Sequence, residues 1–383
     1  MAFRQFVVDA KRIITGCLLS IGITGIANAD ALLDEAVAFN AQILHLQTDV
    51  PGLLFAAIKN GEVAVAGFGE TKRGNGIAPD GDTVLRLGSI TKAFAGEMLA
   101  QAVARGEVKF TDQIKPLLPT ELAAAMETQP LIRLIDLATH SSGLPREVPH
   151  QNGPDADPFK TITLDAFAAW LKETPVLFPP GTSIAYSNFG FDLLSAGLAT
   201  AGGAAYEDLL AERITKPLKM ADTGFVVTPE MASRLMSGHA PDGTPLPEVP
   251  SGSVITGSGG LRSTANDLLK WLQWHLADTQ EQAEVRFLDH ATYVQRDGMQ
   301  TVISMDESGR MDAMGLGWVV MNETGEQPFV LQKAGALQGQ MSYLAFAPEH
   351  GTAVFVSINQ FDFSAAFAMT ELANEFLANL SGF

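Results

Sequence analysis

The sequence predicts an α+β fold, an antiparallel sheet flanked by helices with a mainly helical region inserted into it. Three observations carry this expectation. Apolar runs at 53–58 and 63–68 flank Lys59-Asn60-Gly61-Glu62, and Asn-Gly between two such runs is a strong hairpin signal. Further strand-like runs at 317–321, 329–332, 342–347 and 353–358 lie near the other end of the chain. Between about 107 and 250, proline is frequent, strand signals are scarce and the periodic pieces are helical. The hairpin and the late strands are each short of partners, so both ends of the chain are expected to build one sheet. Residues 30–88 and 255–383 then form the sheet region and 89–254 the helical insertion, with a cleft at their junction.

The elements follow in order. Residues 30–46 carry Leu32, Leu33, Val37, Ile43, Leu44 and Leu46 at helical spacing, and 83–87 reads as a short strand. A helix over 93–104 repeats Phe94, Met98, Leu99, Ala102 and Val103 on a helical period and stops at Arg105-Gly106. The helical pieces of the middle region are 131–138, 164–172, 189–200 and 206–214. Ser258-Gly259-Gly260 breaks the chain, and Thr264 reads as an N-cap with Asp267 three residues on, ahead of Leu268, Leu269, Leu272 and Leu276. Residues 278–313 are polar and Met-containing and give no assignable pattern. Pro348-Glu349-His350-Gly351 is a turn, and 365–380 closes as a helix.

A length of 383 residues supports a large core, in one large domain or two, and an apolar content of 46% fits a globular protein. The formal charge of -18 with no basic cluster excludes a phosphate-binding, nucleic-acid partner. Residues 1–29 read as a secretory signal peptide: basic Arg4, Lys11 and Arg12, an apolar run, then Ala27-Asn28-Ala29 as a small-x-small cleavage site. If the run persists as an anchor, the protein associates peripherally with a membrane. Ile14-Thr15-Gly16-Cys17 resembles a lipoprotein box, but the long apolar stretch follows it rather than precedes it. Cys17 is the single cysteine, so a cleaved chain has no disulfide and no cysteine nucleophile.

Three stretches carry chemistry. Ser89 and Lys92 are three residues apart at the start of the 93–104 helix, which places hydroxyl and amine on one face. Serine is a weak nucleophile until a base takes its proton, and an adjacent amine can be part of that base. The helix start also offers free backbone N–H groups to an oxyanion. Tyr186 and Asn188 end the Pro-Gly loop 179–188 and, two residues apart in extended chain, point the same way. Lys333-Ala334-Gly335 ends a predicted strand, where glycine lets a ligand approach the strand edge.

Ser-x-x-Lys, Tyr-x-Asn and Lys-x-Gly in this order resemble the serine β-lactamase and penicillin-binding protein family, in its class C-like branch. Leu137-Ala138-Thr139-His140-Ser141-Ser142-Gly143-Leu144-Pro145, Ser258-Gly259-Gly260-Leu261-Arg262-Ser263-Thr264 and Gly315-Leu316-Gly317-Trp318 are similar to the same family. Within it, Gly69-Glu70-Thr71-Lys72-Arg73-Gly74-Asn75, Pro145-Arg146-Glu147 and Phe191-Asp192-Leu193-Leu194 resemble the D-alanyl-D-alanine carboxypeptidase/endopeptidase branch.

The resemblance implies a β-lactamase/transpeptidase-like fold and an acyl-enzyme on Ser89. We read Tyr186 and Lys92 as a shared base, since two ammonium groups in a dry cleft favour a phenolate and also favour a neutral lysine. Asn188 orients Lys92 and the substrate amide, Lys333 and Gly335 bind substrate, and the N–H groups of Ser89 and Ala336 form the oxyanion hole. The third motif departs from the branch in having Ala334 where a threonine hydroxyl helps hold a substrate carboxylate. Peptidoglycan stem peptides or β-lactams are the implied partners and the periplasm the implied location. D,D-peptidase activity ranks first, β-lactamase or small-ester hydrolase second, and a non-catalytic penicillin-binding module third. No cofactor or metal is expected: Gly-x-Ser-x-Gly and His-Glu-x-x-His are absent, and His140 reads as a structural loop residue.

Overall fold

The computed structural model describes residues 29–252 and 254–383. The signal peptide expected over 1–29, with Cys17, falls outside the described residues except for Ala29, the first residue of helix α1 (Ala29–Thr48).

Both ends of the chain do build one sheet. It has eight strands in the order β2-β1-β12-β11-β10-β9-β8-β6, and its pairings are antiparallel. The strands are β1 (Gly52–Lys59), β2 (Glu62–Gly69), β6 (Val294–Gln295), β8 (Ala313–Met314), β9 (Val319–Met321), β10 (Val330–Leu337), β11 (Gln340–Ala347) and β12 (Thr352–Ile358). Asn60 and Gly61 make the β1–β2 turn with φ of 52° and 87°, the doubly left-handed turn that matches strand twist and that Asn-Gly tolerates. β1 reads as an unbroken apolar run because both its faces are buried: Leu54, Ala56 and Ile58 enter one core cluster, Leu53, Phe55 and Ala57 the other.

The second cluster lies under α1 and the C-terminal helix α11 (Phe363–Ser381). The first contains α2 (Thr91–Ala104), whose residues Thr91–Ala102 are all buried. This helix is enclosed on every side and mostly apolar, with Lys92, Glu97 and Gln101 among its buried polar exceptions. Gly96 on α2 is required by close packing, since a Cβ there would lie 1.8 Å from the Leu316 carbonyl oxygen. The region between contains short helices: α3 (Thr120–Ala125), α4 (Leu134–Ala138), α5 (Leu164–Glu173), α6 (Asn188–Gly202), α7 (Tyr206–Leu210) and α8 (Pro229–Ala232).

Several expected boundaries move. The 131–138 helix begins only at Leu134, where Arg133 and Asp136 form a reciprocal cap. The 206–214 helix narrows to α7 and continues as a π-turn over Ala211–Thr215. Strand β3 (Val84–Arg86) does not join the main sheet; it pairs with β5 (Arg262–Thr264), which the Ser-Gly-Gly break obscures in the sequence. The unassigned 278–313 stretch supplies α10 (Ala283–His290), β6, β8 and β7 (Val302–Ile303), the last paired in parallel with β4 (Ile184–Ala185). Thr264 caps α9 (Ala265–His275) as expected, its side chain accepting from the Asp267 backbone nitrogen.

Behind α2 lies a buried polar cluster that no sequence spacing signals. Glu97 accepts from Trp271 Nε1 at 2.7 Å and Gln101 Nε2 at 2.9 Å. Asp289 accepts from Trp318 Nε1 at 2.9 Å, and His275 Nδ1 shares a 2.9 Å hydrogen bond with His290 Nε2. His275, Asp289 and His290 come within 4.8 Å of one another through their side-chain donor and acceptor atoms. Burial pushes the Glu97 carboxyl up to about 7 and the Asp289 carboxyl well above the carboxylate range, and it holds His275 neutral.

Candidate active site

Ser89 does not lie on α2 itself. It sits in the single 3₁₀ turn Gly88–Ile90 that runs into α2, with Lys92 in the first turn of the helix. The three-residue spacing still brings Lys92 Nζ to 3.2 Å from Ser89 Oγ. The turn is braced from two sides. Leu87 N donates to Leu261 O at 3.0 Å, and Leu261 N donates to Thr91 Oγ1 at 3.2 Å, so the 258–261 loop follows the backbone around Ser89. On the other side β10 presses against it. A Cβ on Gly335 would lie 2.0 Å from Leu87 O and 3.0 Å from Ser89 N, and one on Gly88 would lie 2.7 Å from Ala336 N. Gly335 is thus needed for the strand to meet the turn, whereas the sequence suggested room for a ligand. The same contact sets the backbone nitrogens of Ser89 and Ala336 at one corner of the cleft.

Lys92 is fully buried and touches three oxygens: Ser89 Oγ, Asn188 Oδ1 at 2.5 Å and Ser258 O at 2.7 Å. The orientation of the Asn188 amide is set by Glu147, because Asn188 Nδ2 donates to Glu147 Oε1 and a carboxylate only accepts. The Asn188 oxygen and the Ser258 carbonyl are also acceptors only. A neutral Lys92 therefore spends its two N–H bonds on them and turns its lone pair to the Ser89 hydroxyl. Burial brings the Lys92 amine down to about 7, with nearby Asp192 opposing the shift. Asp192 is itself buried and pushed up to about 8, while it accepts from Ser258 N and Ser258 Oγ, both at 3.0 Å.

Tyr186 sits where three basic side chains converge on its ring. Lys92 Nζ lies 4.8 Å from the ring centroid, Arg146 Cζ 4.7 Å and Lys333 Nζ 5.2 Å. Lys333 Nζ donates to Ala334 O at 3.2 Å, and burial holds its amine below the usual lysine range. His140 stacks under the same ring at 4.5 Å and accepts from Ser187 N at 3.0 Å. Its ring is therefore the neutral form that carries its proton on Nε2. Its backbone adopts a left-handed φ of 57°. Ser187 caps α6 by accepting from Gly190 N and fastens the loop by donating to Pro145 O, at 2.9 and 2.7 Å. Asn188, the residue after that cap, opens the helix.

Lys333 does not end a strand; it lies in the middle of β10, two residues before Gly335. Since β9 pairs only with Val330–Gln332, it leaves the 333–336 edge of β10 without that neighbour. There a cavity of about 390 Å³ opens, lined by Ser89, Tyr186, Lys333, Ala334, Gly335 and Ala336. Every sequence-selected site residue except Lys92 and Asn188 lines it, and those two lie directly behind Ser89. Arg146, Glu147 and Asp192 are site neighbours whose roles the sequence did not expose. Asp192 carries the one available signal, a carboxylate four residues after Asn188 on an otherwise apolar stretch of helix.

Comparison with known proteins identifies the family. The Beta-lactamase family pattern matches residues 29–378. The D-alanyl-D-alanine-carboxypeptidase/endopeptidase AmpH of Escherichia coli K12 is 33% identical over 336 residues, 86% of this chain and 85% of that protein. The crystal structure of a β-lactamase/D-alanine carboxypeptidase from Yersinia pestis complexed with citrate superposes with a TM-score of 0.81 at 34% identity, covering 92% of this chain and 99% of that one. A class C β-lactamase at 18% identity shares the fold, with a TM-score of 0.76 over 94% of this chain and 99% of its own. The chain therefore belongs to the β-lactamase family of serine hydrolases.

Proposed function

We propose that the chain is an exported enzyme that cleaves D-Ala-D-Ala-type peptidoglycan stem peptides, as a D,D-carboxypeptidase or endopeptidase, through an acyl-enzyme on Ser89. The observation that carries this reading is the Lys92 amine, held by two carbonyl acceptors so that its remaining position faces the Ser89 hydroxyl. Ser89 Oγ attacks the peptide carbonyl and passes its proton to Lys92. The developing oxyanion lies between the Ser89 and Ala336 backbone N–H groups. Collapse expels the leaving amine, which takes its proton from the Tyr186–Lys92 pair, and water then releases the acyl group. Lys333, with its amine 5.2 Å from the Tyr186 ring centroid, adds positive charge to the cleft.

The carboxypeptidase names of the Escherichia coli AmpH and Yersinia pestis relatives support the substrate class. The signal-like pattern of residues 1–29 supports export to the periplasm, where that polymer lies. Among the described residues no helix is long and apolar enough to cross a membrane. Ala334 favours a second reading, because a site without the third-motif hydroxyl grips a substrate carboxylate less firmly, which weakens its hold on stem peptides and β-lactams alike and leaves small esters unaffected.

Turnover of a D-Ala-D-Ala-ended stem peptide, nitrocefin and p-nitrophenyl acetate by one purified sample decides between the readings. Release of D-alanine by the parent protein and none by Ser89→Ala is the expected result. D-alanine release by Ser89→Ala at the parental rate overturns the proposal, and turnover of the ester alone favours the second reading.

A further inference from the structure

The cavity beside Ser89 has two chemically different halves. One is polar, with Arg146, Tyr186, Glu307 and Lys333. The other is built by the first turns of α11. Phe363, Ala366, Phe367 and Thr370 recur at helical spacing and all line the cavity. The sheet-facing stripe of the same helix is different: Ala365, Met369, Ala373 and Leu377 pack into the core. Ala366 and Met369 belong to both surfaces, whereas Phe363 and Phe367 stand on the cavity side outside the core cluster. The two phenylalanines leave 60% and 57% of their surface exposed, and Met341 of β11, paired with Ala336, lines the same cavity.

Two further features hold this face in place. Asp362 caps α11, its side chain accepting from Ala365 N at 3.0 Å, so the first turn is fixed rather than frayed. Phe361, tied by its backbone to His239 O at 3.0 Å, meets Phe363 edge-on with ring centroids 5.2 Å apart. The strand edge agrees with the same polarity. Ala334 packs with Phe361 and Ala366 against the α1/α11 cluster, so a methyl group stands at the border of the two halves.

We infer that Phe363, Phe367 and Met341 form an apolar subsite, which takes an aryl or branched-alkyl substituent of the substrate lying across the free edge of β10. The inference rests on Ser89 chemistry in the same cavity and adds which substituent the site selects. A ring seated there displaces water from the two phenylalanines and sheds its own hydration, whereas a carboxylate in the same place meets on the helix only the Thr370 hydroxyl, whose proton is already donated to Phe367 O at 3.0 Å. Specificity then follows apolar size on one side of the scissile bond. A single well-placed apolar group is worth about tenfold or more in kcat/KM.

Two ester series test this on the parent protein and on Phe363→Ala/Phe367→Ala. Acetyl and phenylacetyl esters of p-nitrophenol vary the acyl group; S-methyl and S-benzyl thioacetate vary the leaving group. The expected result is a preference of about tenfold or more for the aryl member in at least one series, lost in the double variant and restored by leucine at both positions. The small members should react equally well in both proteins. No aryl preference in either series, or a preference that survives the double substitution, overturns the inference. Calorimetric titration of 4-phenylbutyramide into Ser89→Ala keeps the subsite separable from the chemistry. If esters turn over without Ser89, the reaction assigned to that residue is wrong. Amide binding that disappears on adding the two alanine substitutions still upholds the subsite, and unchanged binding refutes it.

Discussion

Replacing Lys92 with methionine is expected to slow acylation of Ser89 by on the order of 10³-fold, the range of a lost general base. The side chain fills similar volume but supplies neither proton acceptor nor charge. It leaves Asn188 Oδ1 and Ser258 O without the partner they have at 2.5 and 2.7 Å. The pH profile gives the sharper signature. With the Lys92 amine lowered to about 7, the ammonium form prevails below that pH and has no lone pair for the serine proton. Acylation by the parent protein should therefore rise with pH up to about 7 and then level. The methionine variant should lose this limb altogether. Stopped-flow measurement of acylation between acid and alkaline pH checks both points. The folding linkage has a matching sign: the folded state binds this proton less readily than the unfolded chain, so Lys92 favours folding increasingly as pH rises from about 7 towards the ordinary lysine range.

The second large effect is expected from Gly335→Ala. The added Cβ would stand 2.0 Å from Leu87 O and 3.0 Å from Ser89 N, and both are backbone atoms without a rotamer to escape through. The strand or the 3₁₀ turn must retreat by about 1 Å, which separates Ser89 N from Ala336 N. A displacement of that size at a reacting centre costs about 10²-fold in rate. Overpacking of this kind also costs about 1–3 kcal/mol of stability. Gly325→Ala is the matched control, since a Cβ there meets nothing within 4 Å. Kinetics and thermal melts of the two variants side by side separate local displacement from a general intolerance of alanine.

The parts of the molecule legible in the sequence are those written in local chemistry. The β1–β2 hairpin follows from Asn60-Gly61, and the sheet of chain ends follows from strand runs that lack neighbours of their own. Ser89, Tyr186, Lys333, Gly335 and Ala336 meet at one cavity because each lies on a loop, turn or strand with a recognisable pattern. What stays illegible depends on packing between distant segments. The continuation of β10 through Lys333 to Leu337 is set by pairing with β11, since the run from Ala334 to Gly335 has weak strand character alone. β3 and β5 are only three residues each and are defined by one another. The 278–313 stretch, polar and without period, becomes ordered through its contacts with β4 and β9. Gly335 looks in the sequence like space for a ligand, and only the fold reveals the Leu87 carbonyl against it. Asp192 stands out in the sequence only as a carboxylate on an apolar stretch of helix, and the fold alone reveals it buried beside Lys92.

The claim beneath all of this is that one hydroxyl is the nucleophile and that a buried amine prepares it. Intact-mass analysis with peptide mapping, after brief exposure to a penicillin, tests it most directly. A single penicilloyl adduct on the peptide containing Ser89, absent from Ser89→Ala and slow to appear in Lys92→Met, is the predicted result. An adduct on any other residue, or undiminished labelling of Ser89→Ala, contradicts it.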